Sequence, residues 1–418
     1  MPHALHLLRD GRIRFYFAGF AVAGIAMFMQ WTVVGWFVYR LSNSAFLLGL
    51  AGFAFLIPTL VITPVAGLLA DRVDRRRLLI CSQALSILLG LSLASLALAG
   101  LANAPLVIWI ALLQGMVGAL DASARNLFLL DLAGHRSNLP QAIALQGITM
   151  NLARFAGPAL AGVAVATLGE GWTFTLAAFG YVPLLAALAR IRHRAAARPA
   201  RQMPWFAELA DGFRYVLRTM PVRRLAVVLA IVSLTIGPYQ SLMPVFARDA
   251  LGGNARTLGW LLGAAGFGAI GATLYLASRR GVPGLGRVVA IAGVTTSVAL
   301  AGFSQTVALW QSLAALAVLG FGYIAFVASI NTLMQALAED DMRGRVIGIF
   351  LMLAFGFVPL GSLALGALVE RIGPRLALLG CGLTGLAAAV WFARGYPAWR
   401  EAVRPLYQRA GLLAPPKR

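Results

Sequence analysis

Among the charged residues in or at the edge of the long apolar runs of this 418-residue sequence, Asp121, Arg125 and Arg154 bound its chemistry. Asp121 and Arg125 lie four residues apart at the end of the run 105–124, a spacing at which two side chains meet on one helix face. Burial favours a neutral carboxyl and a neighbouring guanidinium favours a charged one, so two roles are open. A pair that stays closed makes Asp121 an ionised brace; a pair that opens frees the carboxyl to carry a proton. Arg154 lies in the run 141–168, on one helical face with Gly147, Asn151 and Pro158. A guanidinium at mid-bilayer costs a few kcal/mol or more, so this face expects a cavity or a buried acid. Arg154 meets a substrate anion or a gating partner there, or else closes a structural pair. Pro158 removes a backbone donor and predicts a bend.

The uncharged polar groups in the runs include Gln30, Gln114, Gln240, Asn331 and Gln335. Such scarcity suits a largely apolar cavity for amphipathic molecules rather than sugars. Between two runs stands Gly67-Leu68-Leu69-Ala70-Asp71-Arg72-Val73-Asp74-Arg75-Arg76-Arg77, with two acids and four arginines in its last seven residues. So short a connection predicts a tight hairpin between two crossing helices, its arginines in the headgroup zone. A purely basic anchor would have no use for Gly67 and Asp71 at this spacing.

The elements that must position these residues are membrane spans. The chain is 60% hydrophobic and only 12% charged, with mean hydropathy +0.82, so lipid is the solvent for most of it. The formal charge of +21 comes in short clusters between apolar runs, a pattern that faces anionic lipid and argues against nucleic acid. Lys417 is the only lysine, which excludes a phosphate-binding P-loop. Pumping must then draw on an ion gradient or a separate ATPase chain. Cys81 and Cys381 lie inside apolar runs and read as small core residues. His3, His6, His135 and His193 all lie outside the runs, so neither a metal site nor a cofactor is expected.

At roughly 20 residues per span, twelve spans are expected, over 15–39, 46–70, 78–99, 105–124, 141–168, 172–190, 224–247, 257–278, 286–304, 307–336, 346–369 and 373–393. The first has no cleavage site behind it and reads as a signal anchor and true span. With the N-terminus inside, only Arg40, Arg248, Arg256, Arg371 and Arg375 face outward and Arg154 lies in the membrane. The other 29 of the 35 basic residues face the cytoplasm, which places both termini there. Residues 1–191 and 223–418 form two six-span bundles. The linker, 192–222, contains Trp205, Phe206, Leu209, Phe213 and Val216 at helical spacing, which predicts an amphipathic helix on the inner surface.

The halves repeat. Asn126-Leu127 with Leu132-Ala133 recurs 205 residues on as Asn331-Thr332 with Leu337-Ala338, and Leu48-Gly49 matches Leu258-Gly259. The loop after Gly67 resembles the loop signature of the major facilitator superfamily, except that Asp74 replaces the usual glycine. Gly157-Pro158-Ala159-Leu160-Ala161-Gly162 resembles the Gly-Pro motif of its exporters, with Ala161 where a glycine is usual. Asp121-x-x-x-Arg125 and Leu139-Pro140-Gln141-Ala142 are similar to the branch of enterobactin-type siderophore exporters and macrolide-efflux-like permeases.

The resemblance implies an all-α polytopic fold of twelve helices in two pseudo-symmetric bundles with a midplane site. It implies a conformational role for Gly67, Asp71, Arg72, Arg75 and Arg76, with Asp71 receiving backbone donors or the positive end of a partner helix. It places Asp121, Arg125, Arg154, Gly157 and Pro158 in coupling or gating. Spans one, four, seven and ten line the cavity in that superfamily, which makes Gln30, Gln114, Asn151, Gln240, Asn331 and Gln335 candidate ligands; for any one of them an interhelical hydrogen bond is the other reading. Ala111 stands where many drug/proton antiporters carry a basic residue, so that position can couple no proton. The expectation is a bacterial inner-membrane exporter of a small amphipathic compound, with proton antiport. Import of an organic anion through Arg154 is the alternative. A membrane enzyme or sensor is a remote one, since no acid or histidine cluster and no Gly-x-Ser-x-Gly stands in the runs.

Overall fold

A computed structural model describes residues 10–72, 74–132, 138–191, 205–279, 281–339 and 341–409, with the side chains of 63–72, 130, 140, 205–209 and 409 excepted. Every regular element among them is a helix. α1 (Gly11–Ser42) begins where the Asp10 carboxylate accepts the Arg12 backbone N–H at 2.8 Å, and stops at Asn43, which takes the left-handed conformation (φ 50°). α2 (Ala45–Arg72), α3 (Arg75–Leu98) and α4 (Ala104–Leu132) follow through short connections. Then come α5 (Leu139–Phe179) and α6 (Val182–Arg190). The apolar stretch Gln141–Arg190 runs 50 residues, long enough for two crossings, and breaks its helical dihedrals at Gly169 (φ 79°, ψ 172°). Counting that stretch once, eleven segments among the described residues are long and apolar enough to cross a membrane.

Two differences from the sequence reading matter. α4 was expected to end at residue 124, before Arg125, yet it continues to Leu132 because Phe128 and Leu129 extend its buried face. Asp121 therefore lies eleven residues, about 16 Å, from that helix end. The second half's opening span, expected over 224–247, is one apolar stretch, Met220–Ala250, but not one regular helix. Instead α7 (Trp205–Arg218) and α8 (Met220–Thr235) lead into a 3₁₀ stretch, Gly237–Leu242, a short turn, Met243–Val245, and a π turn, Phe246–Ala250. Pro238 and Pro244 lack the N–H groups that a regular helix would use there.

After α9 (Ala255–Ser278), α10 (Leu285–Ser304) and α11 (Leu309–Leu337) comes a similar case. α12 (Arg343–Leu351) passes through a π turn, Met352–Gly356, into α13 (Phe357–Ile372). Pro359 cannot donate back to the preceding turn, and the wider turn absorbs the mismatch. α14 (Pro374–Arg394) and α15 (Tyr396–Arg409) end the described chain.

The chain forms two compact units, Met1–Arg201 with Met243–Gly266, and Gln202–Leu242 with Phe267–Arg418. Large apolar side chains stand exposed along the spans of both, among them Leu88, Trp109, Phe179, Trp310 and Leu376, as lipid-facing surfaces require. Cys81 is on such an exposed face of α3 and not in the core, and Cys381 is half-buried. Within the first unit two apolar clusters stack along the helices. One is built on Val33, Phe37, Leu93, Ala111 and Phe174, the other on Tyr16, Phe20, Leu79, Phe128 and Leu184. Polar side chains gather where they meet. In the second unit the linker helix α7 packs Gly212 against Arg345 and Ile349 of α12, and Trp399 of α15 donates its indole N–H to the Pro221 carbonyl at 3.0 Å.

Candidate functional site

The loop between α2 and α3 is anchored by its second half. Asp74 caps α3: its carboxylate accepts the backbone N–H of Arg76 at 2.9 Å and of Arg77 at 3.3 Å. This accounts for an acid where the family loop has glycine, since an N-cap needs a short side-chain acceptor. Arg75 is buried and its Nη1 donates to both Asp131 carboxylate oxygens, at 3.0 and 3.2 Å, tying α3 to the end of α4. Arg76 reaches the far end of α6, donating from Nε to the Leu188 carbonyl at 2.7 Å and from Nη2 to Ala189 at 2.8 Å. Carbonyls in the last turn of a helix accept such donors, and a cation there also meets the negative end of the helix dipole. The surroundings of Gly67 and the side chains of Asp71 and Arg72 lie outside what the structure describes.

Asp121 is the centre of a second group. Its carboxylate accepts Ser82 Oγ at 2.8 Å, Gln83 Nε2 at 2.6 Å and Arg125 Nη2, so three donors from two helices surround one charge. The Asp121 and Arg125 side chains are 10% and 13% exposed, and the guanidinium lies over the Phe20 ring at 4.4 Å. The i, i+4 pair expected from sequence thus exists, with partners from α3 that sequence reasoning missed. Ser82-Gln83 is an adjacent polar pair inside an apolar run, and that was the signal available. On α1, Gln30 accepts the Tyr181 hydroxyl at 3.3 Å. Gln30, Gln83, Gln114, Asp121, Arg125 and Tyr181 line one cavity of about 50 Å³ inside the first unit. Two of the expected cavity ligands, Gln30 and Gln114, therefore share a space with the expected coupling pair.

The other candidates sit elsewhere. Asn151 and Arg154 are half-buried on α5, and the Arg154 guanidinium lies 5.5 Å from the centre of the Phe28 ring. Gly157 brings α5 against α1 so closely that a Cβ there would be 2.6 Å from Phe28 Cβ and 2.9 Å from the Ile25 carbonyl. α5 runs helically through Pro158, whose carbonyl borders Gly259, and Gly162 meets Gly259 and the Ala255 carbonyl. The glycine-rich start of α9 thus packs on the Gly-Pro stretch. In the second unit Gln240 lies on the 3₁₀ stretch and donates to the Tyr239 hydroxyl at 3.1 Å, while Gln335 donates to Asn331 Oδ1 at 2.8 Å. At the other end of α1 the Tyr39 hydroxyl donates to the Asp249 carboxylate, and Arg248 donates to Asn43 Oδ1 at 2.9 Å. Neither contact was anticipated.

The profile of the transmembrane secretion effector family matches residues 4–406. The chain belongs to this family. It is a multi-pass membrane transporter of the major facilitator type, a class that moves small molecules. Among its relatives is the multidrug efflux pump Tap of Mycolicibacterium fortuitum, 29% identical over 85% of this chain and 88% of the relative. The staphyloferrin A transporter of Staphylococcus aureus is 27% identical over 81% and 85%, and the enterobactin exporter EntS of Salmonella choleraesuis 26% over 74% of each. Among solved structures, a POT family transporter in complex with 5-aminolevulinic acid superposes with a TM-score of 0.71 at 11% identity, covering 93% of this chain and 96% of its own. The nucleoside transporter NupG gives 0.67 at 15% identity, covering 91% and 99%. At these identities the likeness is one of fold.

Proposed function

We propose that this secretion effector family member exports a small amphipathic compound across a bacterial inner membrane by alternating access, with proton antiport. The observation that carries the reading is the Asp121 centre. A charged pair held by groups of its own two helices, among amides and apolar walls, suits an uncharged or amphipathic cargo better than a strongly charged one. The relatives that pump drugs or export enterobactin support the outward direction. Residues 1–191 and 223–418 are the two working halves, joined by the linker 192–222, with both termini cytoplasmic and the basic loops against anionic lipid.

On this reading Arg75, Arg76 and the Asp121–Arg125 pair are braces that hold the first half together through the cycle. Gly67, Asp71 and Arg72 work as the conformational loop, and Gly157-Pro158 is the face against which α1 and α9 adjust. Inverted membrane vesicles test the proposal. Accumulation of a fluorescent amphipathic drug driven by an inside-acid gradient, and abolished by a protonophore, is the expected result. Uptake that instead requires an inside-alkaline gradient means import and overturns it.

A further inference from the structure

We propose that Gly118 sets the bulk of the cargo this protein accepts, and that Ser86 and Gln114 supply hydrogen bonds that hold it. The site is the cavity lined by α1, α2, α3 and α4 together with Tyr181. This deepens the export reading above and rests on it for calling the ligand a cargo. Positions 114, 118, 121 and 125 of α4 are four, three and four residues apart, a spacing that keeps them on one helix face. All four line the cavity, so Gly118 looks into the same space as the Asp121–Arg125 pair.

Two glycines of α4 make opposite use of a missing side chain. Gly115 is buried where α4 meets α2, and a Cβ there would be 2.1 Å from the Phe55 carbonyl, so packing demands it. Gly118 is exposed, and a Cβ there would meet nothing within 4 Å. Glycine is a poor residue for a helix interior, and no close contact requires it at 118. What it keeps is open space on the cavity side, which alanine would trim and leucine would fill.

The polar groups of the cavity divide in a similar way. Asp121 accepts Ser82, Gln83 and Arg125, and Gln30 accepts Tyr181. Ser86 and Gln114 are half-buried and hydrogen-bond to none of the described residues. Other serines of these spans turn onto their own helix, Ser92 to the Leu88 carbonyl at 2.8 Å and Ser123 to the Ala119 carbonyl at 3.1 Å. Phe55, which packs on Trp31 with ring centroids 4.2 Å apart, adds an aromatic wall. An uncommitted hydroxyl and amide beside such a wall suit a cargo with polar atoms on an aromatic body.

Dansylamide and its N-benzyl and N-naphthylmethyl derivatives keep one fluorophore and one sulfonamide while adding bulk. Fluorescence polarisation reads their binding to the purified full-length protein in detergent, against protein-free micelles. Gly118→Leu should leave dansylamide within about twofold and weaken the naphthylmethyl derivative about tenfold or more, with Gly118→Ala between wild type and Gly118→Leu. Ser86→Ala and Gln114→Leu should each weaken all three probes about fivefold, the worth of one hydrogen bond, whatever their size. The proposal is overturned by a Gly118→Leu effect that is absent or equal across the series, or by a Gly118→Leu chain that cannot fold. Wild-type affinity in Ser86→Ala or Gln114→Leu, or no binding of any probe, also overturns it. The titration needs no gradient and no direction, so it can fail while vesicles show export and succeed while they show import.

Discussion

Replacing Asp121 by Asn removes a charge at almost constant volume, and the structure fixes what should follow. Arg125 has Nη2 on that carboxylate, its Nε has no partner, and its side chain is 13% exposed. Deleting one member of a buried pair strands the other, at a cost of about 3–5 kcal/mol. Arg125→Gln should cost less, about 2–3 kcal/mol, because Asp121 keeps the donors from Ser82 and Gln83. The double variant removes both charges and leaves no stranded ion. It should therefore be about as stable as Asp121→Asn alone, with a coupling of about 2–3 kcal/mol between the two positions. Unfolding in mixed detergent micelles by added SDS measures all three. Single losses that simply add within about 0.5 kcal/mol would refute the reasoning. In vesicles, a braced Asp121 further predicts that Asp121→Asn loses gradient-driven transport and equal-concentration exchange together. Exchange that survives would make the carboxyl a proton carrier instead.

Other outcomes follow from single contacts. Asp131→Asn leaves buried Arg75 without its carboxylate and should slow transport several-fold with normal membrane insertion, while Arg75→Lys, which loses the guanidinium geometry, should retain part of the activity; wild-type rates for Asp131→Asn would remove the brace from the mechanism. Gly115→Ala would put a Cβ 2.1 Å from the Phe55 carbonyl and should destabilise by about 1–3 kcal/mol, whereas Gly118→Ala, with open space around it, should be neutral in the same thermal unfolding assay. Arg154→Lys should keep partial transport and Arg154→Gln none; equal transport by Arg154→Gln leaves that guanidinium without an essential role.

Much of the fold was legible because spans write themselves as runs of apolar residues about 20 long. The hairpin loop, the linker helix over 205–218 and the Asp121–Arg125 pair were legible for a related reason: each is local in sequence. What was not legible is tertiary. Helices apolar on all sides carry no periodicity to say which neighbour they face, so nothing local tells that Gln83 of α3 meets Asp121 of α4 or that Tyr181 meets Gln30. The end of α4 was misplaced because Arg125 looked like an interface residue, when its counter-charge and the Phe20 ring keep it inside. Asp74 was seen only as a departure from a pattern, although an acid one residue before a helix start is a cap by its own chemistry.

Helix α1 links these features within the first unit. Gln30 reaches the cavity, and Phe28, two residues earlier, lies under Arg154 and against Gly157. Nine residues beyond Gln30, about 14 Å along the axis, Tyr39 is bonded to Asp249. On the other side of Gln30 from Tyr39, α5 meets α1 at Gly157, against the Ile25 carbonyl and the Cβ of Phe28. Polar bonds at two heights therefore help set the position of α1 along its axis. A displacement of one turn or less, far too small to unfold anything, breaks the Tyr39–Asp249 bond and moves the Gln30 amide together. Any ligand that holds Gln30 more tightly in one position of α1 than in another thereby favours one state of the Asp249 contact, since differential affinity is all that a shift in population requires.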